Sequence, residues 1–375
     1  MIGPVKEIMS RVPGYYLARS GWTKPGMPFN LTFSITNMCQ SRCRTCRIWD
    51  LYQKNPEKRD EELTIHEIQK IFRSMGPIPI FNLSGGEPFL RRDIVEIIDL
   101  ACIYLKPAII HIPTNALSMD IAEKKTMEIL EVITQRAPSI QLTVKPSLDH
   151  IGEKHDEIRG VPGNFNKVME LFKRLKNIRK RYPNLHAELG TVISAWNVRD
   201  IKEIASFVSR LGADSYRNEI AEKRSEMFNE EEELIPKAEQ YKKAIELFVH
   251  EIKMNMKNRN FFQRSTNAFR LQYYKLVSSI LMEHRQVIPC YAGISNAHMS
   301  PYGDIWPCCT LGYEMSMGNV REHNYDFKTV WNSERAKRIR GHIKKGNCHC
   351  PLANQAYSNI LMHTTSLLGV IRAMV

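Results

Sequence analysis

Between residues 28 and 221 the chain repeats one unit six times: a short apolar or β-branched run, then an amphipathic stretch at helical spacing. The runs are 31–36, 80–83, 108–113, 140–144, 187–194 and 215–221, and the stretches between them are 65–72, 93–104, 120–136, 164–181 and 198–211. Ile65, Ile68, Ile71 and Phe72 share one apolar stripe, with Glu67, Lys70 and Arg73 off it. Such alternation predicts an α/β fold of parallel strands joined by right-handed crossovers. Six units are too few to close an eight-stranded barrel. A partial (βα)6 barrel, open on one side, is expected, with its site at the carboxyl ends of the strands. A doubly wound sheet competes, but no glycine-rich dinucleotide fingerprint follows the first run.

The rest of the 375-residue chain divides around this unit. Residues 1–27 form an N-terminal extension, 28–221 the barrel, 222–287 a helical connector with mixed charge, 288–352 a small module and 353–375 an apolar tail whose one charge is Arg372. The module is punctuated by Cys, Gly and Pro and is poor in apolar runs, so metal is expected to staple it. The tail reads first as a helix docked on the body, and second as an interfacial segment touching lipid.

The nine cysteines are unevenly placed: three at 39–46, Cys102 alone, and five at 290–350. The first eleven residues are polar and broken by Pro4, with no apolar core of a secretory signal. A cytoplasmic, reducing setting is expected, where clustered cysteines bind metal rather than pair. Cys102 lies beside Ile98 and Leu105 on an apolar face and reads as core packing. No apolar run is long enough for a spanning helix. The net charge of +13 concentrates at 173–181 and 335–345. These stretches read as solvated helix faces before anionic substrate or membrane surface, and nucleic acid is disfavoured because they lack interleaved aromatics.

Cys39, Cys43 and Cys46 follow directly on the first strand, spaced so that one short loop can wrap three thiolates around a compact centre. A structural zinc site closes with four ligands, whereas an iron–sulfur cubane held by three cysteines leaves one iron open. This Cys-x3-Cys-x2-Cys pattern resembles the signature of the radical S-adenosylmethionine (radical SAM) enzymes. Gly85-Gly86-Glu87-Pro88, at the end of the second strand, resembles the family's Gly-Gly-Glu motif, which implies backbone close to SAM and a carboxylate on its amino group. Thr114-Asn115-Ala116 stands where the family often has Thr-Asn-Gly, and Thr45 where it usually has an aromatic ring near adenine. By the same resemblance Ser147 and Arg159 are candidate SAM contacts.

The second group, Cys290, Cys308-Cys309 and Cys348-His349-Cys350, resembles the SPASM and twitch modules that hold auxiliary iron–sulfur clusters behind such barrels. The expected ligands are Cys290, Cys308, Cys348 and Cys350, with Cys309 the spare or the substitute for Cys308. Zinc is the alternative metal. His298 and His349 could then be ligands, though both read as bystanders.

The resemblance implies a [4Fe-4S] cluster, SAM, a second cluster and an external one-electron donor of ferredoxin or flavodoxin type. Reduction of the SAM sulfonium yields methionine and a 5′-deoxyadenosyl radical that abstracts hydrogen from substrate. Charge and tail favour a non-peptide substrate, lipidic or phosphorylated. A peptide maturase is the alternative, against which 27 residues are too few for a separate leader-binding domain. A non-catalytic metalloprotein is a third reading, opposed by the intact Gly85-Gly86-Glu87.

Overall fold

The computed structural model describes residues 2–258 and 261–374. Six parallel strands, β1 (Asn30–Thr36), β2 (Ile80–Gly85), β3 (Ile109–Thr114), β4 (Gln141–Pro146), β5 (Leu185–Ile193) and β6 (Ser215–Ile220), lie side by side in chain order. They occupy the six expected runs, and the sheet stays open. The helix Ile65–Met75 shows how the crossovers are written. Thr64 caps its N-terminus in a reciprocal pair with Glu67, Ile68, Ile71 and Phe72 are buried, and Gly76 at φ +75° ends it. The stretch expected as one helix at 93–104 is Ile94–Leu100 followed by a wider turn, Ala101–Leu105, which buries Cys102.

The sheet does not stop at β1. Strand β7 (Asn296–Met299) pairs with it in parallel, Thr32 opposite His298 and Phe33 opposite Met299. Strands β8 (Asp304–Trp306) and β9 (Gly318–Asn319) then continue antiparallel, completing nine strands. The cysteine-rich module thus shares the barrel's sheet. It is further tied to the barrel by Arg321, which grips Glu67 with two hydrogen bonds of 2.8 and 3.0 Å. Glu67 therefore both caps its helix and anchors the module, and Arg321 holds its pKa down to about 2.

The segment expected as a helical connector has two long helices, Ala238–Asn255 and Phe261–Glu283, preceded by an irregular stretch around Ser225–Met227. The tail forms Ala353–Leu361 and Thr364–Met374, both packed on Phe261–Glu283. The first of these buries Ala353, Gln355, Ala356 and Ile360, while Leu368 and Ile371 of the second face solvent. No helix among the described residues is long and apolar enough to cross a membrane. The N-terminal extension is the helix Ile2–Ser20. It seats Tyr15 in a small second core with Phe29, Tyr291, Ile294 and Met362, and its Arg19 donates to the carbonyl of Cys290 at 3.1 Å.

Both basic stretches are mostly solvated helix faces, as expected, with a few of their charges tied into the structure. Arg174 pairs with Asp120, Glu123 and Glu170, Arg179 with Asp214, and Arg340 stacks on Trp331 while donating to its carbonyl.

Candidate active site at the mouth of the half-barrel

The loop that follows β1 is pinned from two sides. The amides of Gly86 and Glu87 donate to the carbonyls of Thr36 and Met38, each at 2.8 Å. That approach is possible only without a side chain: a Cβ on Gly86 would lie 2.3 Å from the Met38 oxygen, and Gly85 sits at φ +108°. On the other side, Arg42 N and Ser41 Oγ both donate to the carbonyl of Arg159 at 3.1 Å, where Gly160 leaves room for the Arg42 carbonyl. Arg159 closes the helix Glu153–Arg159, so one turn of chain fixes both its backbone and its guanidinium.

Within this frame Cys39 lies within electrostatic reach of Cys43 and Cys46, and Cys46 within reach of Cys43. Burial, then the neighbouring thiols, pushes Cys46 up to about 12 and Cys39 above the ordinary thiol range. Hydrogen-bond donors approach the sulfurs: Asn115 Nδ2 at 3.6 Å from Cys39 Sγ, and an Arg159 nitrogen at 3.5 Å from Cys43 Sγ. Burial disfavours the charged Arg159, but Asp149, 2.9 Å away, and Cys43 outweigh it and hold the guanidinium protonated. Three half-exposed thiols under cationic and amide donors suit an iron–sulfur cluster with one open iron.

Glu87 is 2% exposed and faces the same space. Its carboxylate accepts from Asn115 N at 2.7 Å and Phe89 N at 3.3 Å, yet burial outweighs these bonds and raises its pKa to about 7. Ser147 and Thr45 also line this space. Ala116 keeps a left-handed φ of +62°, the conformation a glycine holds without strain.

The second cysteine group gathers under the β7–β8 hairpin. Cys308 lies within electrostatic reach of Cys290 and Cys350, and Cys348 within reach of Cys290. Gln286 bridges two of them, accepting from Cys290 N at 3.2 Å and donating to the Cys348 carbonyl at 3.3 Å. Thr310 donates to Cys350 Sγ at 3.7 Å. Burial raises all four thiols, the proper state for a site whose protons a metal displaces. His349 sits edge-on to His284, on the outer side.

Cys309 turns the other way. It stands beside Glu226 and His298, the ligand-type atoms of all three within 4.8 Å of one another. His298, expected as a bystander, therefore faces the interior. Glu222, Arg224 and Glu226 come from the segment read as a mere connector, and no local motif marked them. They line a cavity of about 260 Å³ that both cysteine groups border. Lys145 pairs there with Glu219 at 3.6 Å, Arg217 with Glu188 at 3.3 Å, and Arg224 with Glu222 at 2.9 Å. Among the buried atoms of its lining residues without a hydrogen-bond partner are Glu222 Oε1, His111 Nε2 and Gln355 Oε1. The tail, through Gln355, is thus part of the cavity wall.

Comparison with known proteins agrees with this geometry. The radical SAM superfamily model matches residues 33–208, and the SPASM iron–sulfur cluster-binding domain model matches residues 290–351. The antilisterial bacteriocin subtilosin biosynthesis protein AlbA of Bacillus subtilis is 23% identical over 92% of this chain and 70% of its own. The AdoMet-dependent heme synthase of Oleidesulfovibrio alaskensis is 26% identical over 86% and 80%. Among solved structures, SuiB of Streptococcus suis bound to S-adenosylmethionine superposes with a TM-score of 0.56 at 14% identity, covering 84% of this chain and 68% of that one. The anSMEcpe structure with bound AdoMet and Cp18Cys peptide gives 0.57 at 14%, covering 92% and 96%. Two family matches in the expected order, on an open barrel with two separate cysteine groups, place this chain among the radical SAM enzymes, with a SPASM iron–sulfur domain behind its barrel.

Proposed function

We propose that this enzyme abstracts hydrogen from a polar, non-peptide substrate held between its two cysteine groups. Cys39, Cys43 and Cys46 are assigned to the SAM-binding [4Fe-4S] cluster, and Cys290, Cys308, Cys348 and Cys350 to the auxiliary one. When bound, the first cluster supplies one electron to the SAM sulfonium, so that methionine leaves and a 5′-deoxyadenosyl radical takes hydrogen from substrate. Gly85 and Gly86 let backbone approach SAM, Glu87 receives its ammonium, and Ser147 and Arg159 border it. A ferredoxin- or flavodoxin-type donor in a reducing cytoplasm is the proposed electron source.

The observation that supports a polar substrate is the set of unpartnered buried atoms on the cavity wall. An acceptor left unpaired in the interior costs about 1–3 kcal/mol, which a ligand bearing N–H or O–H donors recovers. Glu222 is raised to about 7 by burial against the pull of Arg224, so it is poised to meet an ammonium or hydroxyl near neutral pH. The first tail helix, Ala353–Leu361, is spent on the cavity wall and core, which removes that part of the motive for a lipid substrate.

A peptide substrate is the second reading, favoured by likeness to SuiB, whose solved structures include one bound to its precursor peptide SuiA. Anaerobic reconstitution with SAM and a strong reductant tests the chemistry: no 5′-deoxyadenosine above a Cys39→Ala control sinks it. Adding cell extract before and after exhaustive proteolysis tests the substrate class. Stimulation that survives proteolysis supports the non-peptide reading, and stimulation lost to it establishes the peptide.

A further inference from the structure

Glu226, His298 and Cys309 reach one point from three separate places: the segment after β6, the strand β7, and the chain just past β8. All three are buried, and the ligand atoms fall within 4.8 Å of one another. Two donors on one tetrahedral zinc ion stand about 3.5 Å apart. The trio therefore needs to close by only about 1 Å to share an ion.

A plain ion pair does not account for the group. His298 Nε2 and Glu226 Oε1 are 3.1 Å apart and already joined by Ser34, whose hydroxyl donates to the carboxylate and lies 2.8 Å from the ring nitrogen. That pair needs no thiol, yet Cys309 completes the ring. The set mixes sulfur, imidazole and carboxylate, which suits zinc or ferrous iron rather than magnesium or calcium. Thiolate and carboxylate together balance a divalent charge, while Arg224, within electrostatic reach of both, is balanced by Glu222 at 2.9 Å. Ser34 supplies the outer hydrogen bond that orients a metal-bound carboxylate. Three protein ligands rather than four is the count of a site that keeps a position open, and all three side chains line the cavity shared with Glu87 and the first cysteine loop.

We propose that Glu226, His298 and Cys309 hold a single divalent transition metal, separate from both iron–sulfur clusters, with an open coordination position on the substrate cavity. Its ligand there is an oxygen or nitrogen donor of the substrate, oriented beside SAM.

The test uses the full-length protein with its iron and sulfide reconstituted, titrated with zinc sulfate, desalted and measured by plasma mass spectrometry and zinc K-edge absorption. The expected result is about one zinc per chain with one sulfur and otherwise nitrogen or oxygen neighbours. His298→Ala, Glu226→Gln and Cys309→Ser are each expected to weaken zinc binding at least about tenfold, with iron and sulfide unchanged. No bound zinc in the wild-type protein overturns the proposal, as does a shell of three or four sulfurs, which means zinc in a cluster site. Zinc retained in Cys309→Ser overturns it too. So does iron lost from that variant, because Cys309 would then be a cluster ligand.

Discussion

Gly86→Ala isolates the close approach on which the SAM pocket rests. Gly86, unlike Gly85, has no positive φ, so the substitution adds crowding without backbone strain. The new Cβ would stand 2.3 Å from the Met38 oxygen and 2.7 Å from its carbon, whereas real Cβ contacts do not fall below 3.0 Å. Both are backbone atoms and no side chain can swing aside, so the Met38 carbonyl must retreat by at least about 0.7 Å. Its 2.8 Å bond from Glu87 N then passes beyond hydrogen-bond length, and the neighbouring Gly86 N to Thr36 bond is strained with it. Two weakened bonds at about 1 kcal/mol each, with overpacking of about 1–3 kcal/mol, give a loss of about 3–5 kcal/mol. Met38 precedes Cys39, so part of that displacement separates the first cysteine from Glu87. If half is felt by bound SAM, affinity falls about 10- to 60-fold.

The assay is anaerobic equilibrium dialysis of radiolabelled SAM, run beside urea unfolding and iron analysis. Gly341→Ala is the matched control. It lies in the helix Glu334–Lys344 with no neighbour within 4 Å of an added Cβ, so it is expected to bind SAM normally and gain up to about 1 kcal/mol. A Gly86→Ala protein that binds SAM and unfolds as the wild type does would refute the reasoning.

Three further outcomes are expected. Folded Glu87 keeps its proton up to about 7 against 4.5 for an ordinary carboxyl, so its contribution to stability is largest below pH 4.5 and is lost as pH rises through 7. SAM binding runs the other way, tightening as Glu87 ionises. Isothermal titration from pH 6 to 8 should show that slope in the wild type and none in Glu87→Gln. Cys308→Ser is expected to lose about four irons per chain and Cys309→Ser none, by colorimetric iron and sulfide analysis. Arg91 donates to the Ile35 carbonyl at 2.9 Å and pairs with Glu62 at 3.1 Å and Asp93 at 2.6 Å, so Arg91→Met strands two carboxylates. It should cost about 3–5 kcal/mol in urea unfolding and, because Glu62 holds Thr36 and Asn37, lower iron loading as well.

What was legible in the sequence was local. Strands and helices follow from periodicities of 2 and 3.6 residues, and the first cysteine loop from spacings short enough to close on themselves. Glu222, Arg224 and Glu226 were not legible, because their place depends on where β6 sits relative to β7, a relation set by 75 intervening residues. Gln355 was hidden for the same reason, in a tail whose composition suggested only an apolar face. Cys309 carried a signal that was there to use. Adjacent cysteines cannot easily both face one cluster, so if Cys308 faces the other module cysteines, Cys309 is left to face elsewhere, and here it meets Glu226 and His298.

An open barrel leaves an edge on each side, and this chain closes them differently. At β1 the edge is covered by a strand, β7, with backbone pairing. Beyond β6 no strand follows in the sheet among the described residues, and the irregular segment 222–234 spans the gap through single bonds. Met227 O accepts from Arg47 N at 2.8 Å, Asn229 Nδ2 donates to Thr45 O at 2.7 Å, and Leu234 O accepts from Ala195 N at 2.9 Å. Arg47 and Thr45 belong to the first cysteine loop, so the segment that closes the barrel also holds that loop from a third side. A loop held by β2, by the helix Glu153–Arg159 and by this segment is ordered by folding itself. The entropy of arranging three thiols then falls on the fold and not on cluster binding, which would let a half-exposed three-ligand site, as proposed for Cys39, Cys43 and Cys46, keep its cluster while leaving one coordination position for SAM.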